Sequence, residues 1–266
     1  MSVDTVKNVS EEKIRLGGMA LANGVLVHGP KSWACAIRTE DGKLKVAARR
    51  KRVRAAEIDS PLLRGPVRLL DAMAILPQIR RALPEARLPF QNAGVLAAML
   101  GSATVVRLVR GSPNVGPAAQ ELVTGLMSVA PAAVALRGSD VAGYHGAEHI
   151  SIGTYEHGDG ATKEHERCGS HLVGPLLLTT MVGNVLAARA PEHVRAPARL
   201  GAQVLALAAS TEIFGWMVRN PDKPLARALA RPGHELQHRL STSEPTREQI
   251  EVAEAALTAC LELEQE

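Results

Sequence analysis

The chain has 266 residues, long enough for one large domain or two small ones with a sizeable buried core, so disorder throughout is excluded. Three cysteines, Cys35, Cys168 and Cys260, are odd in number and far apart, which argues against a disulfide framework and fits a reducing compartment. The formal charge of +4 hides an asymmetry: residues 1 to 89 hold 17 Lys and Arg against 9 Asp and Glu, which leaves 14 against 18 for the remainder.

Met1 to Arg15 is polar and charged, so no secretory signal is expected there. Residues 17 to 54 read as short strands. Gly17-Gly18 and Gly29-Pro30 bracket the apolar stretch Met19 to Val27, and the segments Trp33 to Thr39 and Lys43 to Val53 flank the hairpin signal Glu40-Asp41-Gly42. The glycines match no phosphate-binding loop and are explained by turns. The basic run Arg49-Arg50-Lys51-Arg52-Val53-Arg54 suits anionic lipid head groups or nucleic acid. Two Phe, two Tyr and two Trp leave little for base stacking, so the lipid bilayer is the favoured partner and nucleic acid is not. A solvated strand end explains the run with no partner at all.

Leu62 to Leu83 places Leu63, Val67, Leu70, Met73 or Ala74, and Leu76 at near-helical spacing, with Arg64, Arg68, Arg80 and Arg81 opposite. This predicts an amphipathic helix lying on a membrane or on the rest of the protein. Four apolar segments follow: Leu88 to Val106, Leu122 to Leu136, Leu172 to Ala188, and Leu200 to Val218, which contains Glu212. Each is near or below the roughly 20 residues of a membrane span and rich in small residues, so a buried bundle of a soluble protein is the competing reading. Four spans put both termini and the loop from Arg137 to His171 on one side, and the basic first third makes that side cytoplasmic. After Pro221, Pro224, Pro232 and Pro245, Thr246 and Gln249 form a capping box opening a helix with Ile250, Ala253, Leu257 and Leu261 on one face.

The residue types with the most chemistry lie in Gly143-Tyr144-His145-Gly146-Ala147-Glu148-His149. On a helix, the spacing His-x-x-Glu-His turns two imidazoles and a carboxylate to one face, the inverted form of a zinc-hydrolase signature. His145 and His149 would hold a divalent metal, zinc by this ligand type, and Glu148 would be the general base. The bland alternative is a loop or helix end whose histidines cap carbonyls, a reading that Gly143 and Gly146 favour. His165-Glu166-Arg167-Cys168-Gly169-Ser170 offers His165 and Cys168 as further ligands, with the Cys168 thiol expected to be acidic at a helix start; on spacing alone the favoured reading is a helix entry in which Gly169 and Ser170 make the turn and Cys168 is merely small and buried. Glu212 is costly inside an apolar segment unless paired or metal-bound, which makes it a distant third ligand or the partner of an arginine such as Arg107; Glu121 raises the same question. His234-Glu235-Leu236-Gln237-His238 matches the forward zinc-hydrolase motif, but only about two helical turns fit between Pro232-Gly233 and Ser241-Thr242-Ser243.

Several segments resemble the YqhQ-like family of bacterial membrane proteins of unknown function, sometimes labelled predicted metal-dependent enzymes. They are Gly17-Gly18-Met19-Ala20 through Gly29-Pro30, Leu63-Arg64-Gly65-Pro66-Val67, Tyr144 to His149, His165 to Ser170, Glu212, and Arg239 to Pro245 followed by Gln249 to Ala253, in family order. The resemblance implies a multi-pass inner-membrane protein with a basic cytoplasmic N-terminal region. It also implies that the segments around His145 and His165, and Glu212, belong to the group's pattern, whereas His234 and His238 do not.

The expected fold is mainly α: a helical membrane bundle of about four spans with a small N-terminal β-hairpin or sheet and a C-terminal amphipathic helix. The expected divisions are a basic region over 1–87, the apolar helical region with the metal site over 88–218, and a tail with its helix over 219–266. The expected function is a membrane-embedded metal-dependent enzyme, hydrolytic and of unnamed substrate. Its competitor is a non-catalytic scaffold or assembly factor held by a His/Glu/Cys network.

Overall fold

The computed structural model describes residues 13–52, 55–89, 93–136, 139–158 and 160–266. Val53 and Arg54, at the end of the basic run, and Arg137, at the start of the expected cytoplasmic loop, lie outside these residues.

Four strands, β1 (Gly17–Leu21), β2 (Gly24–His28), β3 (Ser32–Arg38) and β4 (Leu44–Arg50), form an antiparallel sheet in sequence order. The apolar stretch Met19 to Val27 forms the first two of them. It folds back at Ala22-Asn23, where the Asn23 side chain donates to Arg38 O and Glu85 O and accepts from Arg87 N. The hairpin expected at Glu40-Asp41-Gly42 is present, with Gly42 at φ +78°, a conformation that favours glycine.

Strand alternation gives this sheet two buried faces. Val25, Val27, Ala34 and Ala36 face a core completed by Val141, Tyr144 and Ile152 of α4 (Asp140–His157) and by Val252, Ala256 and Cys260 of α8 (Arg247–Gln265). Leu26, Trp33, Cys35 and Ile37 face the other core, closed by Ile75, Leu76 and Ile79 of α1 (Arg64–Ala82). The first strands and the last helix of the chain thus share one core. Glu264 on α8 pins the β2–β3 turn by accepting from Lys31 N, Ser32 N and Ser32 Oγ. The capping box at Thr246 and Gln249 forms as its spacing predicts. On α1, only the C-terminal half meets the sheet; Leu63, Leu70 and Met73, expected on the apolar face, are exposed, because the N-terminal half leaves the sheet to meet a later helix.

Four further helices carry the apolar segments: α2 (Ala93–Gly111), α3 (Pro117–Leu136), α5 (Val173–Ala188) and α6 (Arg195–Arg219). α2 packs on α3 and α5 on α6. All four are long and apolar enough to cross a membrane. Leu96, Leu100 and Leu108 on α2, Leu122 and Leu126 on α3, Val182 and Leu186 on α5, and Leu200 and Val204 on α6 are exposed. A bundle of a soluble protein would bury such residues, so the exposed apolar belts favour spans over a soluble core. α7 (Pro224–Leu236) runs into a wide π-type turn at Gln237–Ser241 before α8.

Candidate metal centre

α4 begins after Ser139, whose extended backbone is at φ −106° and ψ 156°, carries Asp140 in its first turn, and stops at Gly158. His145, Glu148 and His149 therefore sit within one and a quarter helical turns on one side, as the motif requires. Gly143 and Gly146, which favoured irregular backbone, are helical. Their role is close approach: a Cβ on Gly146 would lie 2.3 Å from Ser243 O, and one on Gly143 would meet the Gln249 side chain.

His145, His149 and Cys168 each offer a ligand atom, and these atoms lie within 4.8 Å of one another. His145 Nε2 is 3.5 Å from Cys168 Sγ, close to the roughly 3.5 Å between a nitrogen and a sulfur sharing a tetrahedral zinc at ordinary bond lengths. Both imidazoles are oriented from behind. His145 Nδ1 bonds Ser241 O at 2.8 Å and His149 Nδ1 bonds Lys163 O at 2.6 Å. A carbonyl only accepts, so each Nδ1 carries the proton and each Nε2 keeps its lone pair for the cluster, the arrangement that metal-binding histidines use. Burial draws His149 down to about 2, with the charge of His145 adding to the effect, so its ring is neutral.

Glu148 is buried, and its Oε2 has no hydrogen-bond partner. Burial pushes its carboxyl up to about 8, against the opposing influence of His145. A cation in the cluster would reverse that balance and keep the carboxylate ionised at neutral pH. The orphaned oxygen and the preset histidines fit a divalent metal. Cys168 departs from expectation: burial raises its thiol, because desolvation outweighs the hydrogen bonds from Ser170. The short 3₁₀ turn it precedes, Gly169–Leu172, supplies too few aligned amides to compensate.

These groups open onto a cavity of about 720 Å³. Its walls include Gly17, Gly18 and Met19 of β1, Val95 and Met99 of α2, and Pro131, Ala132 and Ala135 of α3.

The remaining sequence candidates are placed elsewhere. His165 lies beside the cluster, its ring 5.6 Å from that of His149, but its Nε2 meets Glu156 at 3.2 Å while its Nδ1 accepts from Arg167 N. Glu156, His157 and His165 form a second convergent group, in which Arg167 already neutralises the Glu156 carboxylate. Glu212 pairs with Arg64 at the start of α1, through Nε at 2.6 Å and through Nη2, and does not line the cavity. Glu121 pairs with Arg110 and accepts from Asn184, which in turn accepts from Gln203. In the forward motif, His238 bonds Glu164 and Glu235 bonds Arg239, and the motif supplies no metal group among the described residues.

Gln237 was invisible as a site residue in the sequence, where it reads as a spacer in that motif. It is fully buried: its Oε1 accepts from His165 N, and its Nε2 donates to His165 O, Ser170 Oγ and His171 Nε2. The π-type turn it opens ends at Ser241, whose carbonyl aligns His145. Only the turn's unusual width, unreadable from composition, makes both contacts at once.

Residues 137–263 match a family model described as "Protein of unknown function (DUF1385)". The chain is 33% identical over 129 residues to the uncharacterized protein YqhQ of Bacillus subtilis. That stretch covers 46% of this chain and 40% of YqhQ, so the match spans less than half of either protein. No solved structure matches the chain.

Proposed function

From the similarity of residues 137–263 to a family of unknown function and from the geometry of the site, we propose a membrane-embedded, metal-dependent hydrolase. His145, His149 and Cys168 hold the metal, and Glu148 is the general base. The observation that carries the reading is the buried Oε2 of Glu148, which makes no hydrogen bond and lies 4.0 Å from His145 Nε2, beside two histidines whose Nε2 lone pairs are preset by backbone carbonyls. A purely structural network satisfies its members, and this one leaves an oxygen open. The scaffold reading therefore has less support at this site.

The bound cation, zinc by the mixed imidazole and thiolate set, supplies Lewis acidity. The chain's own residues do the rest. Ser241 O and Lys163 O hold the rings in one tautomer. Glu148 Oε2 takes the proton of an attacking water as its oxygen bonds to the electrophilic centre, then returns that proton to the leaving group as the scissile bond breaks.

The proposed location is a cell (inner) membrane, crossed four times. An even number of crossings keeps the sheet, α4 and α8 on one side, as their shared core requires. The basic first third supports a cytoplasmic assignment of that side and an interaction with anionic head groups; Arg49 and Arg50 are exposed on β4.

Metal analysis of the purified protein tests the reading. Wild type is expected to carry about one zinc equivalent, and a His145→Ala/His149→Ala variant to lose it, whereas His234→Ala/His238→Ala keeps it. Equal zinc in wild type and the first variant overturns the proposal.

A further inference from the structure

The metal cluster lines a cavity that the candidate membrane spans α2 and α3 wall together with β1. Val95 on α2 is buried at 4% exposure, and Ala135 on α3 lines the same space. Met99, Ser128 and Ala132 line it too and are exposed, so the cavity opens along the faces of α2 and α3. Those helices present Leu96, Leu100, Leu122 and Leu126 outward, where a bilayer's acyl chains would meet them. The opening is thus continuous with a lipid-facing surface. At the other end, polar groups converge on one small region: His145, Glu148, His149, Arg167 and Cys168. A volume of about 720 Å³ is within the usual range for a small-molecule site.

We infer that this cavity takes a single-chain amphiphile, with its apolar tail between α2 and α3 and its polar, anionic head at the His145–His149–Cys168 cluster. The inference rests on the proposed function for the head-group assignment, whereas the tail assignment stands on the cavity alone. A substrate of this class reaches the site from the membrane, because a tail that partitions into lipid is already concentrated beside the opening. A bound cation at the cluster favours a negatively charged head, since Arg167 at the cavity wall is already paired with Glu156.

Photolabelling with a diazirine-bearing palmitate tests it on the full-length wild-type protein in vesicles of neutral lipid, with label positions read by mass spectrometry and metal content measured on the same preparation. The expected result is saturable labelling at Val95, Pro131 and Ala135, reduced about tenfold by excess unlabelled palmitate. Ala132→Trp, which fills the tail space, is expected to give a similar loss with zinc content unchanged. Should that variant fail to fold, competition in wild type remains the deciding measurement. Labelling confined to outward residues such as Leu100 and Leu126, and indifferent to competitor, overturns the inference. If zinc is present in that case, the metal reading survives it; cavity labelling in protein without zinc overturns the metal reading and the head-group assignment but keeps the tail assignment.

Discussion

Gly18 on β1 and Glu148 on α4 are in such close contact that a Cβ on the glycine would lie 2.2 Å from Glu148 Oε1 and 2.7 Å from its Cγ. The bare backbone of the first strand therefore forms the seat of the candidate general base. Gly18→Ala is expected to push the carboxylate aside, since a side-chain end yields more readily than backbone. Dicyclohexylcarbodiimide labels buried protonated carboxyls, and in metal-stripped protein, where burial raises the Glu148 carboxyl, its rate at Glu148 should change in the variant. Gly101→Ala, which meets nothing within 4 Å, is the control and should behave as wild type. Identical labelling in all three proteins would show that Gly18 does not position Glu148.

Gln237 is the second supporting residue to test. Its side chain closes the segment from His165 to His171 onto the π-type turn. Gln237→Leu leaves buried His171 Nε2 and the half-buried His165 N and Ser170 Oγ without this partner, where one unsatisfied buried group costs about 1–3 kcal/mol and a half-buried one less. A lower unfolding midpoint together with weaker zinc retention is the expected outcome. A midpoint equal to wild type would remove Gln237 from the account.

His28 lines the cavity and sets a pH dependence. Its Nδ1 contacts Lys51 Nζ at 3.2 Å, and Lys51 bonds Asp71 at 2.8 Å. Burial, then the Lys51 charge, draws its pKa down from 6.5 to about 4. The unfolded chain therefore binds more protons than the folded one between pH 6.5 and about 4, so stability falls as pH drops through that window and is unaffected by this group above it. Unfolding midpoints of wild type and His28→Gln at several pH values check the sign. The variant should lose less stability on acidification, and parallel curves would refute the assignment.

Asn184 links the two helix pairs by donating to Glu121 on α3 and accepting from Gln203 on α6. Asn184→Leu should lower stability by about 1 kcal/mol, the usual scale for a polar contact between helices in lipid. Zinc content should not change, because the site is built elsewhere. A stability equal to wild type would show that the link contributes nothing.

Much of the architecture was legible because local signals act over short distances. Four charge-poor runs, the Glu40-Asp41-Gly42 turn and the Thr246–Gln249 capping box each state their structure within a few residues. Glycine marked the turn at Ala22-Asn23, but what holds it was not legible, because Arg38, Glu85 and Arg87, which grip Asn23, are distant in sequence. Gly143 and Gly146 misled for a related reason: glycine marks irregular backbone and close helix contacts alike, and only the neighbouring chain distinguishes them.

At the candidate site, sequence alone determined that His145, Glu148 and His149 share one helical face, because 3.6 residues per turn is a property of the backbone. It also supplied Cys168, His165 and Glu212 as candidates without ranking them. Tertiary structure separated these: Cys168 joins the histidines, His165 turns to Glu156, and Glu212 is taken by Arg64. Tertiary structure also decided that the seat of Glu148 comes from β1 and the alignment of His145 from Ser241, 96 positions later. Spacing fixes directions within one helix, but contacts between distant segments depend on how whole elements pack, and no local periodicity encodes that.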